Sequence, residues 1–231
     1  MIVINKKFLK NFYEKILNLS IEEVDCGNSA TKRVIASMKT TAVSRYHAAT
    51  RIAWQSKIAF LTTTVLSLGL IFIPLMQLAK VEISFSNDVL SAIQIFLAVA
   101  VLVYSVIIGT AKYETRCENL NDCGDKVKDL IRELKREAAG GEAPKEVVED
   151  IQRRYAIIVA DVENHQRCDF SLTIIRYRDL YQISILCWLK LRIYIFFILI
   201  MNYFPVVILI ALELFIITDM FKITSYFAFL H

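Results

Sequence analysis

Two stretches of the chain carry no charge at all, Ile58 to Ala79 and Val89 to Ala111, and only the nine residues 80–88 separate them. As α-helices rising ~1.5 Å per residue, each would cover roughly 33 Å, enough to cross a hydrocarbon core of ~30 Å. Charge brackets both: Lys57 and Lys80 on the first, Asp88 and Lys112 on the second. A wholly buried helical hairpin in a large globular protein is the alternative. A soluble helix rarely runs so far without a polar face, so the pattern predicts a membrane hairpin with spans 58–79 and 89–111.

The pattern on either side is helical but amphipathic. Residues 1–30 predict a short helix with Phe8, Phe12 and Ile16 on one face, followed by a polar turn at Asp25–Asn28. Between Thr31 and Lys57 there is no Gly or Pro, and Ile35, Met38, Tyr46, Ala49 and Ile52 recur at helical spacing, so this helix should run into the first span. Beyond the second span, Tyr113, Cys117, Leu120, Val127, Ile131, Leu134 and Ala138 step by threes and fours, interrupted by Gly124. Gly140-Gly141 should end that helix and Pro144 should start another, whose stripe is Val148, Ile151, Tyr155, Ile158, Val162 and His165. Two matching stripes and a short turn predict an antiparallel, coiled-coil-like hairpin.

The last fifth turns apolar again. Ile193 to Leu212 is uncharged, though it holds Asn202 and Pro205, and Glu213 follows. The simplest reading is a third span over 193–212; a segment broken at Pro205, re-entrant or interfacial, is the alternative. The expected organisation is therefore all-α: N-terminal helices over 1–57, a transmembrane hairpin over 58–111, a charged helical hairpin over 112–182 and an apolar segment over 183–231.

Composition agrees with membrane residence, since 56% of the 231 residues are hydrophobic. The net charge of +4 says less than its distribution. Residues 1–57 carry ten Lys/Arg against four Asp/Glu, and residues 112–192 carry fifteen of each. Basic residues in short flanks set orientation. With Lys39, Arg45, Arg51 and Lys57 before the first span and Lys112 and Arg116 after the second, both hairpin ends should be cytoplasmic and the 80–88 loop outside. Arg51, Lys57 and Lys112 are the expected interface anchors. Charge interrupts every apolar run of the opening MIVINKKFLKNFYEK, which argues against a signal peptide or cleavable leader. The five cysteines should be reduced.

Motifs for catalysis are absent: no Gly-rich phosphate loop, no G-x-S-x-G, no H-E-x-x-H. Cys117, Cys123, His165 and Cys168 could meet at one end of the charged hairpin, but a six-residue Cys spacing suits a metal poorly, and buried thiols beside a core His are the better reading. Glu163, Asn164, His165 and Asp169 read as a helix-end capping cluster rather than an acid–base site. No cofactor is expected. Lys32, Arg33, Lys39 and Arg45 suit anionic lipid, although topology alone accounts for them, and nothing supports direct nucleic-acid binding.

The polar residues of the spans carry more. Thr63, Ser67, Pro74 and Gln77 share a face of the first, with Thr62 and Thr64 beside them. Ser91, Gln94, Ala98, Val101, Ser105 and Gly109 form a stripe on the second. Such residues either pack helices closely or line a water path; Thr63, Ser67, Gln77, Ser91, Gln94 and Ser105 are the candidates for both roles. Two spans cannot enclose a pore, so a channel needs a homo-oligomer in the bilayer. With no ionisable residue in either span, a proton relay or coupled transporter is disfavoured.

A basic helix (KTTAVSRYHAATRIAWQSK), two spans joined by a short loop, a charged helix (KYETRCENLNDC) and a second polar helix (YAIIVADVENHQRCDF) together resemble the SLATT group. These are two-span effector domains that accompany SMODS nucleotidyltransferases and SLOG sensor domains. The resemblance covers about residues 30–190, carried by positions such as Tyr46, Ala49, Arg51, Tyr155, Glu163 and His165. It lies nearest the fifth subfamily, which also occurs beside reverse transcriptases. It implies an oligomeric pore-forming effector of the bacterial inner membrane that acts in antiphage abortive infection, not an enzyme, associated with a nucleotidyltransferase, SLOG or reverse-transcriptase system. A non-pore adaptor or sensor, whose charged hairpin recruits a partner, is the alternative.

Overall fold

The computed structural model describes residues 29–81, 84–177, 181 and 183–224, and every regular element among them is a helix. The expected amphipathic helix around Phe8, Phe12 and Ile16 lies outside the described residues. Six helices follow in order: α1 (Ala30–Leu78), α2 (Asn87–Ala111), α3 (Tyr113–Glu137), α4 (Lys145–Ala160), α5 (Arg167–Arg176) and α6 (Ile185–Met220).

Local chemistry sets their ends. The Ser29 hydroxyl accepts from the Lys32 amide at the start of α1, and the Ser86 hydroxyl accepts from the Val89 amide at the start of α2. Between those caps α1 runs unbroken for 49 residues, so the basic stretch and the first apolar run are one helix, with Pro74 inside it. After the second run the helix is interrupted at one residue. Lys112 adopts left-handed backbone (φ 47°) and separates α2 from α3. The turn after α3 uses Gly141 at φ 136°, a conformation closed to L side chains, and Pro144 caps α4. Gln166 and Asp169 exchange reciprocal bonds at the start of α5. At the far end, α6 continues through Pro205 for 36 residues, so the apolar segment is not broken there.

The chain divides into two compact units. The first holds α1 up to Ala49, α3 from Glu118, α4, α5 and α6 up to Leu199. Its core is the meeting of three stripes: Val34, Met38 and Ala42 from α1, Cys123, Val127, Leu130, Ile131 and Leu134 from α3, and Val148 and Ile151 from α4. Each fully buried aliphatic side chain of this kind contributes about 1.5–3 kcal/mol. The Thr31 hydroxyl ties the α3–α4 turn to α1 by accepting from the Ala143 amide at 3.2 Å. A smaller cluster gathers Ile174, Tyr181, Ile183, Cys187 and Leu191.

The second unit holds α1 from Thr50, α2, Lys112 to Cys117 and α6 from Ile200. Leu66 and Ile73 of α1, Leu90 and Leu97 of α2, and Ile216 and Met220 of α6 pack together with Phe85. The Ser84 amide donates to the Met220 carbonyl at 3.2 Å, which places Ser84 at the C-terminal end of α6. Outside that thin core the surface is apolar: Phe60, Leu61, Leu68, Ile71, Leu75, Ile95, Phe96, Leu102, Val207 and Leu214 are all exposed. A surface like this has no place in water.

Candidate functional site

Among the described residues three helices are long and apolar enough to cross a membrane, and the most apolar stretches of the second and third are only 6% buried within the chain. The second unit is therefore a membrane bundle, and its polar side chains are the ones whose placement matters. In lipid each must be satisfied within the protein. The hydroxyls largely satisfy themselves: Thr62, Thr63, Thr64, Ser67 and Ser91 each donate to the carbonyl four residues earlier on their own helix. The glutamines pair with each other. Gln94 donates its amide to Gln77 Oε1 at 3.0 Å, and Gln77 reaches Asn87 Oδ1 at 3.5 Å, near the loop end of the hairpin.

The six candidate positions thus fall into two groups. Gln77 and Gln94 are brought together between α1 and α2, and Thr63 and Ser67 are half-buried on α1. Ser91 and Ser105 are exposed on the outer side of α2 with Ala98 and Gly109, and nothing lies within 4 Å of where a Gly109 side chain would begin. Of the three interface anchors, Lys57 is exposed with its ammonium 5.5 Å from the ring centre of Trp54, and Arg51 is half-buried. Lys112 is exposed at the left-handed break. An aromatic beside a basic residue suits the headgroup level of a bilayer.

The bundle also holds an acidic residue that the uncharged first two spans do not reveal. Glu213 of α6 is 3% exposed, and its Oε1 lies against Gly69 of α1, where any side chain would collide with it. Its Oε2 has no hydrogen-bond partner among the described residues. The signal was present in the sequence: Leu209, Glu213, Ile216 and Met220 step by fours and threes, which puts the acid on the stripe that packs inward. Asp219, the last residue but one of α6, is also buried but is met by the Thr224 hydroxyl.

The first unit buries polar groups differently. Arg45, read from sequence as a basic residue for topology or lipid, is 1% exposed; its guanidinium donates to the Val159 carbonyl at 3.4 Å and to the Glu163 carbonyl. That places a positive charge at the C-terminal end of α4, where the helix dipole favours it. Asp169 Oδ2 accepts from the Gln166 amide at 2.8 Å, and the Ser44 and Thr173 hydroxyls pair at 2.9 Å. Within the Glu163–Asp169 stretch, Gln166 and Asp169 thus cap α5. His47 and His165 sit beside this network, both held below the ordinary imidazole value by burial first. Arg176 lowers His47 further and Arg45 lowers His165, while Asp169 partly opposes each.

Gly124, which interrupted the α3 stripe, is explained by Tyr46. A Cβ there would lie 2.7 Å from the ring, so only glycine lets the phenol lie flat on α3. The Tyr46 hydroxyl donates to Asp125 at 2.6 Å and Lys128 sits 4.0 Å over its ring; burial and then Asp125 push the phenol up. The four residues weighed as metal ligands do not gather. Cys123 donates to the Ile158 carbonyl and Cys168 to Gln166, and among the described residues no group of three His, Cys, Asp or Glu side chains is placed to hold an ion.

Residues 28–212 match the sequence model of a family described as SMODS and SLOG-associating 2TM effector domain family 5. The match takes in all of α1 to α5 and α6 as far as Leu212, so the third apolar helix is mostly within it. No curated protein and no solved structure matches the chain.

Proposed function

The chain belongs to that family of membrane effectors, and from this premise we propose that it forms a homo-oligomeric pore that permeabilises the bacterial inner membrane in antiphage abortive infection. The observation that carries the reading is the bundle's surface. Three membrane-length helices share a thin core and leave Ser91, Ala98, Ser105 and Gly109 facing outward on α2. Small and hydroxylated residues on a lipid-facing side favour close helix approach between copies and give water a partner when they line a path. Basic flanks at Arg51, Lys57 and Lys112 favour a cytoplasmic N-terminus, and the first unit then lies in the cytoplasm, where it receives the signal of a nucleotidyltransferase, SLOG or reverse-transcriptase system.

Purified full-length protein in dye-loaded vesicles tests this. Leakage should rise steeply with protein copies per vesicle, as an oligomer requires. Leu at both Ser91 and Ser105 should reduce leakage several-fold without preventing insertion. Tight vesicles at high protein density would sink the pore and favour the adaptor reading, in which the first unit recruits a partner.

A further inference from the structure

Among the described residues Glu213 is the one buried carboxylate with an oxygen left unmet. Asp219 is met by a threonine hydroxyl and Asp169 by a backbone amide. Glu213 is shut into the apolar core of the second unit with one carboxyl oxygen unmet. It lies seven residues before Met220, so about 10 Å along the helix from the end that meets the loop. That depth is well inside an apolar bundle, where an ionisable side chain is expensive and marks a functional position by default.

Its seat is also made for it. Gly69 supplies the space, and a Cβ there would strike Glu213 Oε1 rather than backbone. Leu66 and Ile73, one turn to either side on α1, close the seat with apolar surface. The carboxyl is therefore held out of water by packing and by the Gly69 backbone against its Oε1, while its Oε2 is met by nothing among the described residues. An unmet polar group raises the energy of the packed arrangement and is relieved when water reaches it.

We propose that Glu213 is a concealed gating carboxylate, seated against Gly69 while the bundle is closed and turned to water when it opens, where it makes the pore select cations. The inference rests on the pore reading and deepens it. Seating Glu213 biases the bundle toward a second arrangement, and the negative charge it presents there attracts cations and repels anions.

The test uses the full-length protein in vesicles and planar bilayers, with potassium chloride as the probe. Wild type should conduct potassium over chloride. Glu213→Gln, which keeps the shape and can hydrogen-bond, should lower that preference several-fold while the protein still inserts. Gly69→Ala should raise basal leakage several-fold, because the new methyl evicts the carboxyl. In a Glu213→Ala background the same Gly69→Ala change should do nothing, since no carboxyl remains to evict. Unchanged selectivity in Glu213→Gln, or a Gly69→Ala effect that persists without Glu213, overturns the proposal and leaves the pore reading standing. Vesicles tight to every variant and to wild type overturn the pore reading, and the gate with it.

Discussion

Arg45 and Glu213 are both buried charged-type residues on long helices, at 1% and 3% exposure, yet their surroundings differ in kind. Arg45 ends on the Val159 and Glu163 carbonyls at the close of α4, which meet its two terminal nitrogens though not its Nε. Glu213 ends against a glycine with an oxygen unmet. The first arrangement specifies one structure, because any shift leaves a buried group unpaired. The second leaves a group whose best partner is water. The carbonyls that meet its end groups fix Arg45 in place, whereas the unmet oxygen of Glu213 favours change in the membrane bundle.

Arg45→Met should break that comparison most severely. Methionine fills the channel but leaves the Val159 and Glu163 carbonyls without a donor. The loss should be about 2–4 kcal/mol, the range for disrupting a buried hydrogen-bonded network. Hydrogen exchange on the full-length protein in detergent should show it as lost protection at α4 and α5, with α2 unchanged. Equal loss of protection in α2 would mean that Arg45 holds more than the first unit.

Gly124→Ala comes next. The methyl would press on a Tyr46 ring held by Asp125 and Lys128, a rigid neighbour, so α1 and α3 must part. Overpacking of this kind costs about 1–3 kcal/mol, read as a lower thermal midpoint of the first unit. Tyr46→Leu in the same chain should recover part of it by replacing the flat ring with a smaller side chain that can shift.

Acid should act more gently, through two histidines of the first unit. His47 and His165 both sit below the ordinary value of 6.5 in the folded chain. The unfolded chain therefore takes up protons first as pH falls. Stability is intact above about pH 6.5 and is lost progressively below it, because protonating either imidazole beside Arg176 or Arg45 is disfavoured in the fold. Thermal midpoints measured from pH 8 to 5 should fall below 6.5, and a His47→Gln, His165→Gln double variant should flatten the curve.

What the sequence reveals of all this follows the physics of each part. Uncharged runs show the spans because lipid admits nothing else, and the stripes of α3 and α4 show their packing because soluble helices must alternate faces. Lys112 is invisible to such patterns: left-handed backbone at a lysine is a local compromise, with no glycine to announce it. Arg45 misleads, since a basic residue before a span reads as a topology signal and only the fold shows the α4 carbonyls that enclose it. Glu213 is half-legible. Its register on the inward stripe can be counted, but its partner Gly69 lies on a helix 144 residues earlier, and that pairing exists only once the bundle is built.

The smallest effect belongs to the most conspicuous ion pair. Arg154 of α4 meets Glu133 of α3 through two bonds, at 2.8 and 3.0 Å, a geometry that would be strong if enclosed. Both side chains are well exposed, at 45% and 36%, and Asp150 competes for the same guanidinium at 3.7 Å. Water and salt screen such a pair, and holding two long side chains offsets what attraction is left. Arg154→Ala and Glu133→Ala should each leave the thermal midpoint within error at physiological salt, and the double variant should show no coupling. A clear coupling that survives high salt would mean the pair is enclosed by a second copy of the chain, and would place α3 and α4 in the oligomer contact rather than on an open surface.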